Sequence, residues 1–318
     1  MYFDYKNLFK RIAIYLLIFF IVLSITYFAI NVLIEPQVKK NLAVSENIEK
    51  NLFIRYLNYL RDLITFKRQK IFSNELKNTN LSISILFFSQ FKWTFLFTIL
   101  IFFLSLIIGN LLGIFSAYKY NKTADFIINI IIGFIAVIPL IIIAVLALGF
   151  SETFGYPSQF LINNSLTFAS LLVPITFTSF GTISLIHARA RKVVKEILNS
   201  EYYLFALSLG QDKKRLFLKQ VLKNLIISEL QVLIPYYLLL FSISLVVERI
   251  FSIPGQSIFI AYAFSKAEIN LIMFYFWFSF ITILISRFIF SIVLDILNPV
   301  QKVNKSLFFI KRKGVKHA

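Results

Sequence analysis

The chain has 318 residues, 58% of them hydrophobic and 15% charged, with a mean hydropathy of +0.80 and a formal net charge of +18. Such a composition excludes a soluble globular domain, and the absence of cysteine excludes disulfides, zinc–thiolate clusters and thiol nucleophiles. In a membrane chain the positive charge points to loop asymmetry and to anionic lipid headgroups, not to nucleic acid.

A hydrocarbon core of ~30 Å needs about 20 apolar residues as helix. Six runs meet that length: 12–34, 93–117, 126–150, 166–187, 225–247 and 271–297. The first is too long for a typical signal-peptide core and lacks a small-residue cleavage site. The expected fold class is therefore all-α, a polytopic bundle of six membrane helices. Four parts are expected along it: 1–34, tail and first span; 35–92, an external insert; 93–300, a five-span core; and 301–318, a basic tail.

With the N-terminus inside, the pieces assigned to the cytoplasm carry 20 of the 33 Lys and Arg residues, against 12 outside. That bias favours both termini in the cytoplasm. The insert 35–92 is long and itself basic, but most of its charges lie away from helix ends. Within it Leu52, Tyr56, Leu57, Tyr59, Leu60 and Leu63 recur at near-helical spacing, with Arg55, Asn58, Arg61 and Asp62 between them. This pattern describes an amphipathic helix on the membrane surface or against the bundle; a solvated loop helix fits it as well. Pro139, Pro174 and Pro235 fall inside spans three, four and five, where each removes a backbone hydrogen bond and favours a kink.

The polar connection 187–227 carries the most information. Asn199-Ser200 can cap a short helix starting at Glu201, whose charge suits the positive helix N-terminus. Gly210 can end it, because glycine takes the left-handed conformation without steric cost. Asp212 can cap a second helix with Leu216, Val221, Leu222 and Leu225 along one side. The result is a helix–turn–helix elbow, with small Ala206 allowing close approach. An ordinary basic connector has the same spacing. Three ionisable residues sit inside spans and are functional candidates on grounds of cost: Glu229 in span five, Arg287 and Asp295 in span six.

Glu201-Tyr202, Ala206 and Gly210, with Asn224 fourteen residues further on, resemble the EAA loop of ABC-importer permeases. The form is that of the oligopeptide/dipeptide permease family, and the resemblance runs from about Leu8 to Pro299. The segment 52–63 is similar to that family's external Tyr-Leu segment. Thr94, Gly109, Gly113 and Ala117 resemble its T…GxxxGxxxA pattern, and Asp125, Pro139, Pro174 and Arg191 stand at its usual places. The run VVERIFSIPG at 246–255 is close to its VVExxFSxPG, and Asn298-Pro299 stands where its terminal Asp-Pro would be. Ser228, Gln220, Arg287 and Ser291 depart from the pattern, standing where proline, histidine, asparagine and aspartate are usual.

The resemblance implies a type I importer permease fold, nearest the first of the family's two permease kinds. It implies coupling to an ATPase through Glu201, Tyr202, Phe205, Ala206 and Gly210, and an external gate or turn at Glu248, Phe251, Pro254 and Gly255. Arg287 is a candidate for lining the path or meeting a neighbouring subunit. The implied partners are a second permease subunit, two ABC ATPase subunits and an extracytoplasmic binding protein, in the inner membrane of a bacterium. No catalytic residue, metal or cofactor is expected on this chain, since ATP and Mg belong to the partner subunits. The run LSLGQ at 207–211 looks like an ATPase signature, but no phosphate-cradling G-x-x-x-x-G-K-[ST] loop accompanies it. Short peptides lead as cargo, with nickel chelates, opines and glutathione as alternatives. An ion-coupled carrier acting alone would want paired intramembrane carboxylates and repeats, and a non-transporting scaffold would not need the loop pattern; both classes stay open here.

Overall fold

The computed structural model describes residues 2–3, 5–65, 69–73, 76, 81–162, 166–297 and 310–311. Asn78, Asn298, Pro299 and Lys305 lie outside the described residues, as does the side chain of Asp295. The elements are almost all helical. In chain order they are β1 (Tyr2–Phe3), α1 (Tyr5–Lys40), α2 (Leu42–Ser45), α3 (Leu52–Ile64), α4 (Ile83–Tyr118), α5 (Thr123–Val137), α6 (Leu140–Gly149), α7 (Ser151–Phe154) and α8 (Leu166–Leu198). There follow α9 (Glu201–Ser208), α10 (Lys213–Leu216), a π-helical segment (Phe217–Leu222), α11 (Lys223–Ile250), α12 (Gln256–Ser265), α13 (Ile269–Leu297) and β2 (Ile310–Lys311). The two strands form one short antiparallel ladder, Tyr2 opposite Lys311 and Phe3 opposite Ile310.

Among the described residues five helices are long and apolar enough to cross a membrane, or six if the bent pair α5–α6 counts as one span. That pair corrects the third expected span. It is not one helix with a kink: its halves are bent by 83°. Pro139 stands at the break, next to Ile138 in extended conformation (ψ 122°). Proline drives its predecessor out of the helical region and offers no N–H to continue the ladder. Pro174 and Pro235, by contrast, lie inside α8 and α11, which run on through them.

The chain divides into two compact units, Met1–Gln90 with Ile258–Ala318, and Phe91–Ser257. In the first unit, α1 and α13 run together, with Arg11 Nη1 donating to Ser291 Oγ (2.6 Å) and Tyr15 edge-on to Phe288. The amphipathic α3 lays Tyr56 and Tyr59 on Tyr27 of α1, the Tyr27 and Tyr59 rings stacked at 5.0 Å. Burial pushes the Tyr59 phenol well above its ordinary range. Buried Glu268 is the polar anchor of this unit. It accepts from the Phe72 amide (2.9 Å) and the Ser73 amide, and so ties residues 69–73 to the turn between α12 and α13.

In the second unit, α4 and α8 meet through small residues. A Cβ on Gly109 would lie 2.7 Å from the Ile186 Cβ, and one on Gly113 2.6 Å from the Ala190 Cβ. Only glycine permits this approach of two backbones, the small-residue contact familiar between membrane helices. Around it Phe97, Ile101, Leu171, Ile175, Leu240 and Val247 form a buried apolar cluster.

Candidate functional site

The connection 187–227 is more helical than expected. Its first part, through Leu198, is the end of α8, and from Lys213 it runs as α10, the π segment and α11. The free-standing piece is the single short helix α9. Its start is not capped as expected: Ser200 takes the N-cap position, but its hydroxyl donates back to the Ile197 carbonyl (2.6 Å). That bond satisfies one of the orphan carbonyls at the end of α8 instead of an orphan amide of α9. Asp212 likewise precedes α10 without a side-chain cap bond.

The end of α9 is formed as its glycine suggests. Gly210 has φ +75°, the Gln211 amide donates to the Ala206 carbonyl (3.2 Å), and the Gly210 amide to the Leu207 carbonyl (3.0 Å). This paired closure needs a left-handed residue between helix and exit, which glycine supplies without strain. A Cβ at Gly210 would touch nothing within 4 Å, so the requirement is conformational and not one of space.

Helix α9 is two-faced. Tyr203 and Ala206 are buried against Ala117, Ala190, Val194, Ile197, Leu216 and Val221. Tyr203 thus packs inward, its ring closing the small-residue seam where α4 meets α8. Tyr202, Leu204, Phe205 and Leu209 stay exposed, Phe205 at 65%. Glu201 is exposed at the first turn.

Beside α9 lies an ion pair that joins two residues the sequence singled out separately. Arg191 of α8 grips Asp125 of α5 with both arms, Nε to Oδ1 at 2.8 Å and Nη2 to Oδ2 at 2.7 Å. The carboxylate also accepts from Ser116 Oγ, the Asn121 amide (3.1 Å) and Asn129 Nδ2 (2.7 Å). Five donors on a carboxylate that is 3% exposed repay its desolvation, as a buried charge requires. The guanidinium centre lies 5.0 Å from the Tyr120 ring centroid, and Lys195 Nζ 3.8 Å from it. Two-pronged recognition of this kind fixes orientation as well as distance.

At the opposite end of α11, Glu248 is fully buried. One oxygen accepts from Thr94 Oγ1 (2.6 Å), the other from the Ser257 amide (2.9 Å), while Thr94 Oγ1 accepts from the Gln256 amide (2.7 Å). The turn between is tight: the Ile253 amide returns to the Glu248 carbonyl (2.8 Å), and Ser252 has φ +54°. A Cβ on Gly255 would sit 2.5 Å from both Glu248 Oε2 and Thr94 Oγ1. Phe251 and Ile253 are buried in the apolar cluster, and the Phe251 carbonyl accepts from the Phe160 amide (2.9 Å). Pro254 is partly exposed in the same turn. Thus Glu248, Phe251, Pro254 and Gly255 are brought together, with Thr94 and Gln256 as partners that the motif alone did not reveal.

Arg287 is not part of either cluster. It is exposed on α13 in the first unit and makes no hydrogen bond or ion pair among the described residues. Residues 187–229 hold a further group that sequence reasoning partly missed. Glu229 was singled out, but Arg189 was not, because on a basic connector nothing distinguishes it from Lys192 or Lys195. Among the described residues there is no group of three or more His, Asp or Glu suited to a metal.

Residues 109–303 match the family described as the inner membrane component of binding-protein-dependent transport systems. The chain is 24% identical over 275 residues to the dipeptide transport system permease protein DppB of Bacillus subtilis, covering 84% of this chain and 85% of that protein. It is also 24% identical over 222 residues to the oligopeptide transport system permease protein OppB of Escherichia coli K12, covering 69% and 71%. Among solved structures, an inward-facing form of the MetNI methionine ABC transporter aligns with TM-score 0.47 and 15% identity, over 65% of this chain and 91% of that one.

Proposed function

The chain belongs to the family of inner membrane components of binding-protein-dependent transport systems, and from that premise we propose that it forms half of the path of an ATP-driven peptide importer. It is not an enzyme in this reading: hydrolysis of ATP with Mg takes place on two ABC ATPase subunits. A second permease subunit completes the path, and an extracytoplasmic binding protein delivers the cargo. Di- or oligopeptides are the favoured cargo because the relatives named above are dipeptide and oligopeptide permeases. Both termini lie in the cytoplasm, as the charge bias favours.

The observation that carries this reading is the two-faced α9. Its inner face is locked into the chain by Tyr203 and Ala206, while Tyr202, Leu204, Phe205 and Leu209 are left outside. An aromatic knob on a rigid base suits a cleft on a soluble subunit, where such residues supply much of the contact energy. Closure of the ATPases then pushes on a helix that cannot yield separately, and the push reaches α4 and α8 through the residues around Tyr203. Nucleotide-dependent contact at this one place biases the path between outward- and inward-facing states without local chemistry. The knot at Glu248, Phe251, Pro254 and Gly255 holds the outer turn, and Arg287, exposed on α13, is left to meet the path or a neighbouring subunit.

Cysteines placed at Phe205 or Ser208 of this cysteine-free chain should crosslink to the ATPase near its Q-loop. The yield should change between nucleotide-free and ATP-trapped complexes. Absence of crosslinks at both positions in an intact complex rejects the coupling role. Uptake by the lone chain would favour an ion-coupled carrier instead. For orientation, an impermeant maleimide should label cysteines at Ser158 and Asn78 from outside and reach Ser208 and Lys305 only after the membrane is opened. The ligand found on the binding protein decides the cargo.

A further inference from the structure

Buried polar groups in folded chains are nearly always partnered, and each exception asks for a reason. In the second unit several exceptions gather on α8 and on the chain leading into α11. Glu229 is only 7% exposed, yet among the described residues neither carboxylate oxygen has a hydrogen-bond partner. Arg189 of α8 donates from Nη2 to the carbonyl of Ser228 (2.8 Å), the residue immediately before Glu229, while its Nε is buried and unused. A guanidinium already bonded to the adjacent backbone thus stops short of a carboxylate that has nothing else. His187 Nε2 and Gln220 Oε1 are buried without partners as well.

Just before α11 the chain takes π-helical form over Phe217–Leu222. Such turns hold one residue more than an α turn and are frequent at functional sites. Relaxing one to α turns the following helix by about 100° and advances it ~1.5 Å along its axis. A change of register of this size alters how Glu229 stands toward Arg189. The segment lies between α9 and Glu229, so a push on α9 reaches it first.

We propose that Arg189 and Glu229 are a positioning pair for transport, closing into an ion pair in one access state of the path and standing open in the other. The π segment supplies the change of register between the two. The pair acts through α11 and touches no cargo. In the open state the unpartnered carboxylate is a cost, and its relief on closure helps to make the two states distinct rather than a continuum. This inference rests on the permease reading above, since it needs a path with two states.

The test uses the whole importer complex in lipid nanodiscs. An Arg189→Cys/Glu229→Cys chain, otherwise free of cysteine, is oxidised in nucleotide-free and ATP-trapped states. The disulfide yield should differ by about fivefold or more, the lower end of ordinary coupling between sites. Glu229→Gln and Arg189→Gln should lose most uptake at normal membrane abundance, and the swapped pair Arg189→Glu/Glu229→Arg should recover it. Equal yields in both states, while the Phe205 contact with the ATPase still changes, overturn the pair and leave the permease reading intact. If the Phe205 contact is also unchanged, the coupling reading falls and the pair with it. Wild-type uptake by Glu229→Met at equal abundance overturns the pair without appeal to crosslinking.

Discussion

Helix α11 carries two buried glutamates whose surroundings are opposite. Glu248 has a donor on each oxygen and no room beside it, since even a methyl group at Gly255 would collide with it. Glu229, nineteen residues earlier and roughly 28 Å away along the helix, has no hydrogen-bond partner among the described residues. The same helix thus ends at a carboxylate with both oxygens partnered and begins beside one with neither. A buried carboxylate bonded at both oxygens is held in one arrangement, whereas an unbonded one is costly and leaves room for another. The contrast separates the end of the molecule that holds its geometry from the end built to change it.

The harshest way to break that contrast is Gly255→Ala. Its methyl must displace Glu248 or Thr94, at a cost of about 2–4 kcal/mol from overpacking and lost hydrogen bonds. Membrane abundance and Tm in detergent should both fall; a variant with unchanged Tm shows that the Glu248 end is not rigid. Next is Arg191→Met, which strips the two-pronged partner from buried Asp125. The Arg191 side chain is 27% exposed, so the loss should be about 2–3 kcal/mol, at or below the range for fully buried pairs. Measured Tm should drop while Asp125→Asn in the same background restores part of it.

Glu229→Met tests the other end and should have the opposite sign. Removing an unpartnered buried carboxylate should raise stability by about 1–2 kcal/mol, visible as a higher Tm together with reduced uptake. A fall in Tm means that Glu229 has a stabilising partner after all. Gly210→Val is milder for the fold, about 1–2 kcal/mol of local left-handed strain, most of it relieved by opening the end of α9. Abundance should stay near normal while uptake and ATPase stimulation fall sharply.

The smallest effect concerns Glu268 in the first unit. Burial raises its carboxyl above the usual 4.5, and the amide donors of Phe72 and Ser73 oppose this without reversing it. The folded state therefore holds the proton more tightly than the unfolded one. The stabilising contribution is complete below the ordinary carboxylate range and is lost as pH rises through the elevated value. Glu268→Gln should remove that part of the pH dependence, so a Tm profile between pH 7 and pH 4.5 should be flatter than in the parent chain. An unchanged slope assigns the dependence to other groups.

Much of this was legible from residue order. The amphipathic α3, the glycine end of α9 and the places of the apolar runs follow from periodicity and from backbone rules that act over a few residues. The helices nonetheless run well beyond several of those runs, and the third is broken at Pro139. Legibility ended where the outcome depended on distant neighbours. Ser200 has the right chemistry to cap α9, but the carbonyls ending α8 take its hydroxyl instead. Tyr203 and Phe205 are equally apolar in sequence, yet one is buried and one exposed. Arg191 matches a family position and Arg189 does not, yet only the structure gives Arg191 a carboxylate and Arg189 a backbone carbonyl.

The sequence by itself determined that this chain lives in a membrane as a helical bundle, because hydrocarbon thickness and backbone hydrogen bonding leave apolar runs of this length no other form. It also determined where α9 must turn, because only glycine takes that backbone conformation cheaply. The tertiary structure alone decided which buried charges are partnered. That depends on which helices come within hydrogen-bond reach, and on the glycines of α4 that let α8 approach, distances that no local pattern encodes.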